Sequence, residues 1–217
     1  KSVQVIVGPA VQFMYDEGSH QLRHGSPALA TTGAASAAGA AGVAASVPAS
    51  AGAASAQSVS GETDVDVRVP FAGDVVELSQ VPDASFAQGM VGEGFAVMPD
   101  AVDAFDVCAP VDGTITMIFK TRHAFGMKTA DGLDLLIHIG IDTVELKGEG
   151  FTALAKKGDT VTAGTPIIAV EAQKLRERGV NLITPVVCPT AKQVRAVEVA
   201  REGRAELGQV AATVERS

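Results

Sequence analysis

Short apolar runs separated by Gly, Pro and Asp dominate the chain from residue 62 onwards. The runs recur at intervals of roughly 8–12 residues, and this spacing is typical of all-β domains. VDG at 111–113 and ADG at 130–132 are turn signals, because glycine supplies the positive φ that tight turns need. The pattern predicts strands at 65–69, 74–78, 95–98, 105–109, 114–119, 126–130, 133–140, 165–170 and 183–188.

Two short helices are expected between these strands, at 85–90 and 173–178. Asp83 precedes the first of them and is a candidate N-cap. Its carboxylate can accept hydrogen bonds from the free amides of a first helical turn. The chain from residue 62 onwards is therefore expected to be mainly β.

A region of different composition precedes the strands. Residues 26–61 contain no charged side chain, and 27 of these 36 residues are Ala, Gly or Ser. The segment has too few large aliphatic residues to span a membrane. We predict a flexible linker with a root-mean-square span of about 33 Å. The chain then divides into residues 1–25, the linker at 26–61 and a main domain at 62–217.

Residues 1–25 start with a strand-like run at 2–8, followed by the beginning of an amphipathic helix. Because the sequence starts at Lys1 and not at Met, we expect it to belong to a longer polypeptide. His20 and His24 have the spacing of a metal-binding pair on a helix. No third ligand accompanies them, so a frayed helix end is the preferred interpretation.

Composition narrows the classes of function. The net charge of −8 argues against nucleic-acid binding, which needs clustered Lys and Arg. It suits a domain that docks on a partner with a basic patch. Cys108 and Cys188 are too few for a disulfide framework and are expected to be buried, inert thiols. No Gly-rich nucleotide fingerprint is visible, so direct use of ATP is not expected.

His138 stands in the most apolar segment of the main domain. Every other residue from 135 to 141 except Gly140 is aliphatic. A polar ring buried in such a strand costs stability unless it is hydrogen-bonded. A single histidine of this kind would be interpreted as a core residue bonded to a backbone carbonyl. His123 lies fifteen residues upstream, before a second apolar stretch, and two such rings on neighbouring strands suggest imidazole chemistry.

Several motifs carry a resemblance to a known family. GLDLLIHIGIDTV at 132–144 resembles the active-site signature of the glucose-type enzyme IIA (EIIA) domains of the bacterial phosphoenolpyruvate:sugar phosphotransferase system. The resemblance covers about residues 62–200 and implies an antiparallel β-sandwich or barrel with one or two short helices. It also rests on the stretch that opens with VPFAGD at 69–74 and runs to residue 99, and on CAPVDGTITMIFKTRHAFGM (108–127), VELKGEGFTALAKKGDTVTAGTPI (144–167) and ITPVVCP (183–189).

This resemblance implies a phosphoryl carrier, a phosphotransferase component with a phosphohistidine intermediate and neither cofactor nor metal. His138 would be the phospho-acceptor, attacking through Nε2, while its Nδ1–H is held by a backbone carbonyl, with Gly140 the expected one. His123 would hydrogen-bond a phosphoryl oxygen, and Thr121 would orient His123. Neutral imidazole suits this chemistry because its free pKa near 6.5 leaves one ring nitrogen unprotonated at neutral pH.

Two protein partners are also implied by the resemblance. The phosphocarrier HPr would donate phosphate, and the cysteine of an enzyme IIB (EIIB) domain would accept it. Residues 1–25 would be the C-terminal remnant of such an EIIB domain. The whole would be tethered to or associated with a membrane enzyme IIC (EIIC) permease, at the cytoplasmic face of the membrane.

Docking on these partners would involve both charged and apolar residues. Asp83 and Asp142 would rim the site and meet basic partner residues, although from the sequence alone capping and turn formation explain both carboxylates. For Phe119, core packing and docking are equally compatible with the sequence. The expected apolar docking face consists of Phe86, Met90, Val91, Phe119 and Val144.

Two other classes of protein compete with this interpretation. A biotinyl or lipoyl carrier domain would be modified at Lys174, since APVDGTITMI and GDTVTAGTPIIAVEAQK resemble its two halves. These halves are far apart in sequence, and Gln173 replaces the Met expected before the lysine. A metallopeptidase on a related fold would need an H-x-H pair, which the residues after His138 do not provide.

Overall fold

The computed structural model describes residues 64–217. The segments assigned to 1–25 and 26–61, with His20 and His24, lie outside the described residues. Two short α-helices are present in the described range, α1 (Ala84–Ala87) and α2 (Ala172–Glu177), with 3-10 turns at Leu78–Gln80, Thr143–Leu146 and Ala191–Gln193. The strands are β1 (Val65–Arg68), β2 (Gly73–Glu77), β3 (Glu93–Pro99), β4 (Phe105–Cys108), β5 (Gly113–Ile118), β6 (Ala124–Lys128), β7 (Asp134–His138), β8 (Phe151–Ala153), β9 (Thr160–Val161), β10 (Pro166–Val170), β11 (Thr184–Cys188), β12 (Val194–Val199), β13 (Gly203–Ala205) and β14 (Val210–Arg216).

The strands form three antiparallel sheets. The largest has eight strands in the order β13-β2-β3-β11-β7-β6-β5-β9. Two three-stranded sheets, β1-β14-β12 and β4-β10-β8, complete the fold. This architecture confirms the predicted mainly antiparallel β fold with two short helices.

The eight-stranded sheet is covered on both faces at its centre. Alternate residues of β7 face opposite sides, so Leu135 and Ile137 join the main apolar core while Leu136 joins a smaller cluster on the other face. Because both faces are buried, β7 has the continuous apolar sequence of an interior strand. The smaller cluster contains Leu78, Val81, Phe86, Ala96, Phe119, Ala124, Leu136, Ile183 and Val187.

Each predicted strand is present, with its ends shifted by a few residues, and both predicted helices are present but short. Five further strands, β8, β9, β12, β13 and β14, were not predicted. Three of them have only two or three residues, too few for a periodic signal. β12 and β14 mix Val with Ala, Thr and charged residues, so their alternation is weak. Even so, β14 is the central strand of its sheet, where it pairs with β1 and β12.

Candidate functional site

The two histidines lie at the same end of adjacent strands. His138 is the last residue of β7, and it pairs with Ala124, the first residue of β6. His123 directly precedes Ala124, and its carbonyl accepts a hydrogen bond from the Ile139 amide at 2.7 Å. The imidazole rings contact each other with their centroids 5.0 Å apart. Both side chains are buried, with 1% of His123 and 5% of His138 exposed.

The tautomer of His138 follows from one hydrogen bond. Its Nδ1 lies 2.8 Å from the carbonyl oxygen of Gly140. A carbonyl oxygen can only accept, so Nδ1 must carry the proton. In the neutral ring Nε2 then keeps an unshared electron pair and is the nucleophilic atom. This is the hydrogen bond that the resemblance implied.

Gly140 can present its carbonyl to His138 because it has no side chain. Its φ is +70°, in the left-handed region. A Cβ at this position would lie 2.8 Å from the carbonyl oxygen of Asn181 and 2.8 Å from Cγ2 of Thr143. The turn after β7 therefore requires glycine at this position.

The tautomer of His123 depends on the direction of one hydrogen bond, that with Thr121. Nδ1 of its ring lies 2.5 Å from Oγ1 of Thr121. Burial, and then the neighbouring His138, lower the pKa of His123 from 6.5 to about 3, so the ring is neutral near pH 7. When the Thr121 hydroxyl donates to Nδ1, the proton of the neutral ring lies on Nε2, which can then donate to an anion.

Burial also lowers the pKa of His138. The Gly140 carbonyl and the charges of Asp83 and Asp142 oppose this shift but do not outweigh it. Both imidazoles are therefore neutral near pH 7. Nε2 of His138 has an unshared electron pair, and Nε2 of His123 can donate a hydrogen bond when the Thr121 hydroxyl donates to Nδ1 of His123. The pair can attack an electrophilic phosphorus atom and hydrogen-bond one of its oxygens.

The two carboxylates near the site differ in their local contacts. Asp83 caps α1, since its Oδ1 accepts hydrogen bonds from the amides of Ser85 at 2.8 Å and Phe86 at 3.2 Å. This confirms the predicted N-cap. Asp142 is exposed, has a φ of +58° and makes no side-chain capping bond. It carries its charge on the solvent side of the site.

The predicted apolar docking residues fall into two groups. Phe86 is 2% exposed and Phe119 is 5% exposed. The ring centroid of Phe86 lies 5.3 Å from that of His138, and the ring centroid of Phe119 lies 5.2 Å from that of His123. Both phenyl rings therefore pack against the imidazoles on the buried side. Met90 is 44% exposed, while Val91 and Val144 are half-buried. Of the five predicted docking residues, only those of the second group present apolar surface to solvent.

One residue near the site was missed by the sequence analysis. Thr143 is fully buried, and its hydroxyl donates a hydrogen bond to the carbonyl of Ile139 at 2.7 Å. Its only signal in the sequence was its place in the histidine-bearing signature. A polar residue there could equally have been a surface residue of a turn.

Residues named in the rival interpretations are engaged elsewhere. Lys174 lies on α2, where it forms exposed ion pairs with Glu171 at 3.2 Å and Glu149 at 3.3 Å.

Cys108 and Cys188 are buried thiols, as predicted, and burial raises their pKa values to about 11 and about 12. Over residues 64–217, no three His, Cys, Asp or Glu side chains are grouped so that they could hold a metal ion.

Comparison with known proteins identifies relatives of this chain. Residues 65–194 match the family model described as phosphoenolpyruvate-dependent sugar phosphotransferase system, EIIA 1. The PTS system N-acetylglucosamine-specific EIICBA component of Klebsiella pneumoniae is 39% identical over 211 residues, covering 96% of this chain and 30% of the relative. The PTS system glucose-specific EIIA component of Halalkalibacterium halodurans is 43% identical over 132 residues, covering 61% of this chain and 75% of the relative.

A solved structure shows the same fold. Glucose permease IIA from Mycoplasma capricolum superposes with a TM-score of 0.64 at 31% identity, covering 70% of this chain and 96% of that one. Several relatives are much longer than this chain, which spans 20–30% of the length of the EIICBA components that it matches. In the described part of the chain, no helix is both long enough and apolar enough to cross a membrane.

Proposed function

This chain belongs to the EIIA 1 family of the phosphoenolpyruvate-dependent sugar phosphotransferase system, and from that premise we propose that His138 is the residue that carries the phosphoryl group. The family's components are phosphotransferases that pass phosphate along during sugar uptake. The hydrogen bond from His138 Nδ1 to the Gly140 carbonyl is the main support for the proposal. It leaves Nε2 as the only ring nitrogen able to form a bond to phosphorus.

The transfer step requires no proton movement. The Nε2 electron pair of His138 forms the new N–P bond as the bond between phosphorus and the donor group breaks. The donor group keeps the electron pair of the broken bond. The acceptor ring, which keeps its proton on Nδ1, gains positive charge, and the Gly140 carbonyl stabilises that charge. In the next transfer the same charge makes the ring a better leaving group.

His123 is proposed to act on the phosphoryl oxygens. Phosphoryl transfer depends mainly on positioning and on stabilising charge on those oxygens. A neutral His123 with its proton on Nε2 provides a directed donor beside the acceptor ring. Thr121 supports this role by holding Nδ1.

The partners we propose are HPr as the phosphate donor and the cysteine of an EIIB domain as the acceptor. Support comes from the relatives, whose names join EIIA with EIIB and EIIC components in one polypeptide. Asp83 and Asp142, whose charges act on His138, are proposed to contact these proteins together with the apolar residues Met90, Val91 and Val144.

The domain arrangement follows from the same proposal. Residues 62–217 would form the EIIA domain, joined through the linker at 26–61 to an EIIB domain that ends at about residue 25. An EIIC permease would then hold the chain at the inner face of the membrane. The uncharged Ala/Gly/Ser composition of 26–61 supports a tether that lets one domain reach both partners.

Phosphorylation of the full 217-residue chain tests this proposal. Incubation with phosphoenolpyruvate, enzyme I and HPr should produce an acid-labile phosphohistidine, which mass spectrometry should locate at His138. His138→Ala should abolish the label. The double variant His20→Ala/His24→Ala is the matched control and should be labelled as fully as the wild type. An acid-stable adduct, or a label that survives His138→Ala, would refute the proposal.

A further inference from the structure

The buried hydroxyl of Thr143 bonds to a backbone carbonyl next to the one that fixes the tautomer of His138. The first is the carbonyl of Ile139 and the second is that of Gly140. Thr143 opens the 3-10 turn Thr143–Leu146, and its Oγ1 donates to the carbonyl of Ile139 at 2.7 Å. The amide of Ile139 donates to the carbonyl of His123 at 2.7 Å. Both backbone polar groups of Ile139 are therefore held, one by the second histidine and the other by Thr143.

Thr143 also contacts the residue that bonds to His138. A Cβ on Gly140 would lie 2.8 Å from Cγ2 of Thr143, so this methyl group packs directly on the Gly140 backbone. The hydroxyl thus holds the carbonyl oxygen of the peptide between Ile139 and Gly140, and the methyl group packs against its Gly140 end. The next carbonyl, that of Gly140, accepts the proton of His138 Nδ1 at 2.8 Å.

We infer that Thr143 is a positioning residue for His138: by fixing the peptide between Ile139 and Gly140, its hydroxyl aims the Gly140 carbonyl at Nδ1 and keeps Nε2 free for phosphate. This inference rests on the proposed role of His138. A free imidazole can carry its proton on either nitrogen, and only the tautomer with the proton on Nδ1 has a nucleophilic Nε2. Thr143 itself does not touch the phosphoryl group.

The predicted consequence separates the hydroxyl of Thr143 from its methyl group. Thr143→Val keeps the shape and removes the hydrogen bond, so the peptide can rotate and the Gly140 carbonyl can leave Nδ1. Thr143→Ser keeps the hydrogen bond and removes the methyl group. We expect Thr143→Val to accept phosphate about tenfold more slowly, by analogy with the loss seen when the group that orients a metal-bound imidazole is removed. Thr143→Ser should recover most of that rate.

Nitrogen-15 NMR of the His138 ring is the decisive measurement, because it reports the tautomer without any phosphorylation. Thr143→Val should show a raised population with the proton on Nε2, whereas Thr143→Ser should match the wild type. The rates are measured with phosphoramidate, a small phosphoryl donor, so that partner docking plays no part.

The matched control is Thr129→Val. Thr129 is also buried, and its hydroxyl accepts a hydrogen bond from the Leu133 amide at 3.0 Å, at the far end of the hairpin formed by β6 and β7. This variant should lose stability without any change in the His138 tautomer. If Thr143→Val lowers the melting temperature but leaves both tautomer and rate unchanged, Thr143 is merely structural and the inference is wrong. If wild-type protein accepts no phosphate on His138 from phosphorylated HPr, the proposed function fails instead.

Discussion

The rings of His123 and His138 meet edge to face, with centroids 5.0 Å apart and planes inclined at 73°. In this arrangement a positive charge on one ring would repel a positive charge on the other, with little water to screen it. His138 accordingly contributes to the lowered pKa of His123, after burial. The pair is therefore most stable with both rings neutral, the state that the proposed phosphate acceptance requires.

The first prediction concerns the pH dependence of phosphate acceptance. Burial lowers the pKa of His138 more than the Gly140 carbonyl, Asp83 and Asp142 raise it. The acceptance rate should therefore stay constant from pH 8 to below 6.5, the usual pKa of histidine, and only then decline. NMR titration of the His138 ring in the unphosphorylated protein measures the pKa directly.

Asp142→Asn provides the control for this titration. Removing the carboxylate removes one influence that raises the pKa of His138, so the value should fall further in the variant. A wild-type pKa clearly above 6.5 would contradict the prediction and would make the acidic residues the dominant influence on the nucleophile.

The second prediction separates the roles of the two histidines. In His123→Gln the amide can still donate a hydrogen bond but lacks the geometry of the ring held by Thr121. We expect this variant to accept phosphate from HPr at a rate similar to the wild type and to donate it to an EIIB domain at least tenfold more slowly. Single-turnover measurements of the two steps, transfer from HPr to this domain and transfer from this domain to EIIB, test this. Equal losses in the two steps would show that His123 is needed only to hold the site together.

A third prediction compares two glycines with positive φ. Gly140 has a φ of +70° and is closely packed against Asn181 and Thr143, whereas a Cβ on Gly132, with a φ of +95°, would have nothing within 4 Å. Gly132→Ala should therefore lower the free energy of unfolding by about 1 kcal/mol, through backbone conformation alone. Gly140→Ala should cost more, about 2–4 kcal/mol, because the turn must also move apart.

Urea unfolding gives the stabilities of these two glycine variants. In Gly140→Ala the hydrogen bond from His138 Nδ1 should also be weakened, which the ring nitrogen shifts would reveal. Equal stability losses in the two variants would mean that the close packing around Gly140 contributes nothing.

The fourth prediction concerns stability at low pH. His123 has a pKa of about 3 in the folded protein, compared with about 6.5 when exposed. Between these values the unfolded chain binds a proton that the folded chain does not, so the free energy of unfolding falls as the pH decreases from about 6.5 towards 3. One such group changes that free energy by about 1.4 kcal/mol per pH unit, or about 2 kcal/mol between pH 7 and pH 5.

His123→Gln removes this titrating group and should flatten the pH dependence by that amount. Urea unfolding of both proteins at pH 7 and pH 5 gives the comparison. Parallel stability profiles for wild type and variant would show that His123 is not held neutral by the fold.

Local features of this protein followed from its sequence because they depend on neighbouring residues. The alternating runs predicted the main strands, and the apolar segment around His138 indicated a buried strand, which the structure shows to be covered on both faces. The position of Asp83 before a short helix predicted its capping bonds, which the structure contains. The signature at 132–144 identified the family and the hydrogen bond from His138 to Gly140. The catalytic roles assigned to these residues remain predictions.

Tertiary structure decided the features that depend on distant segments. The pairing of Ala124 with His138 brings the two rings into contact, and a shift of that register by one residue would move His138 to the other face of the sheet. The burial of Phe86 and Phe119 depends on the packing of the smaller apolar cluster, which draws on α1 and several strands. The central place of β14 depends on β1, which precedes it by more than a hundred residues. Such contacts are selected by the summed packing energy of many residues, whereas periodicity and capping are set within a few positions along the chain.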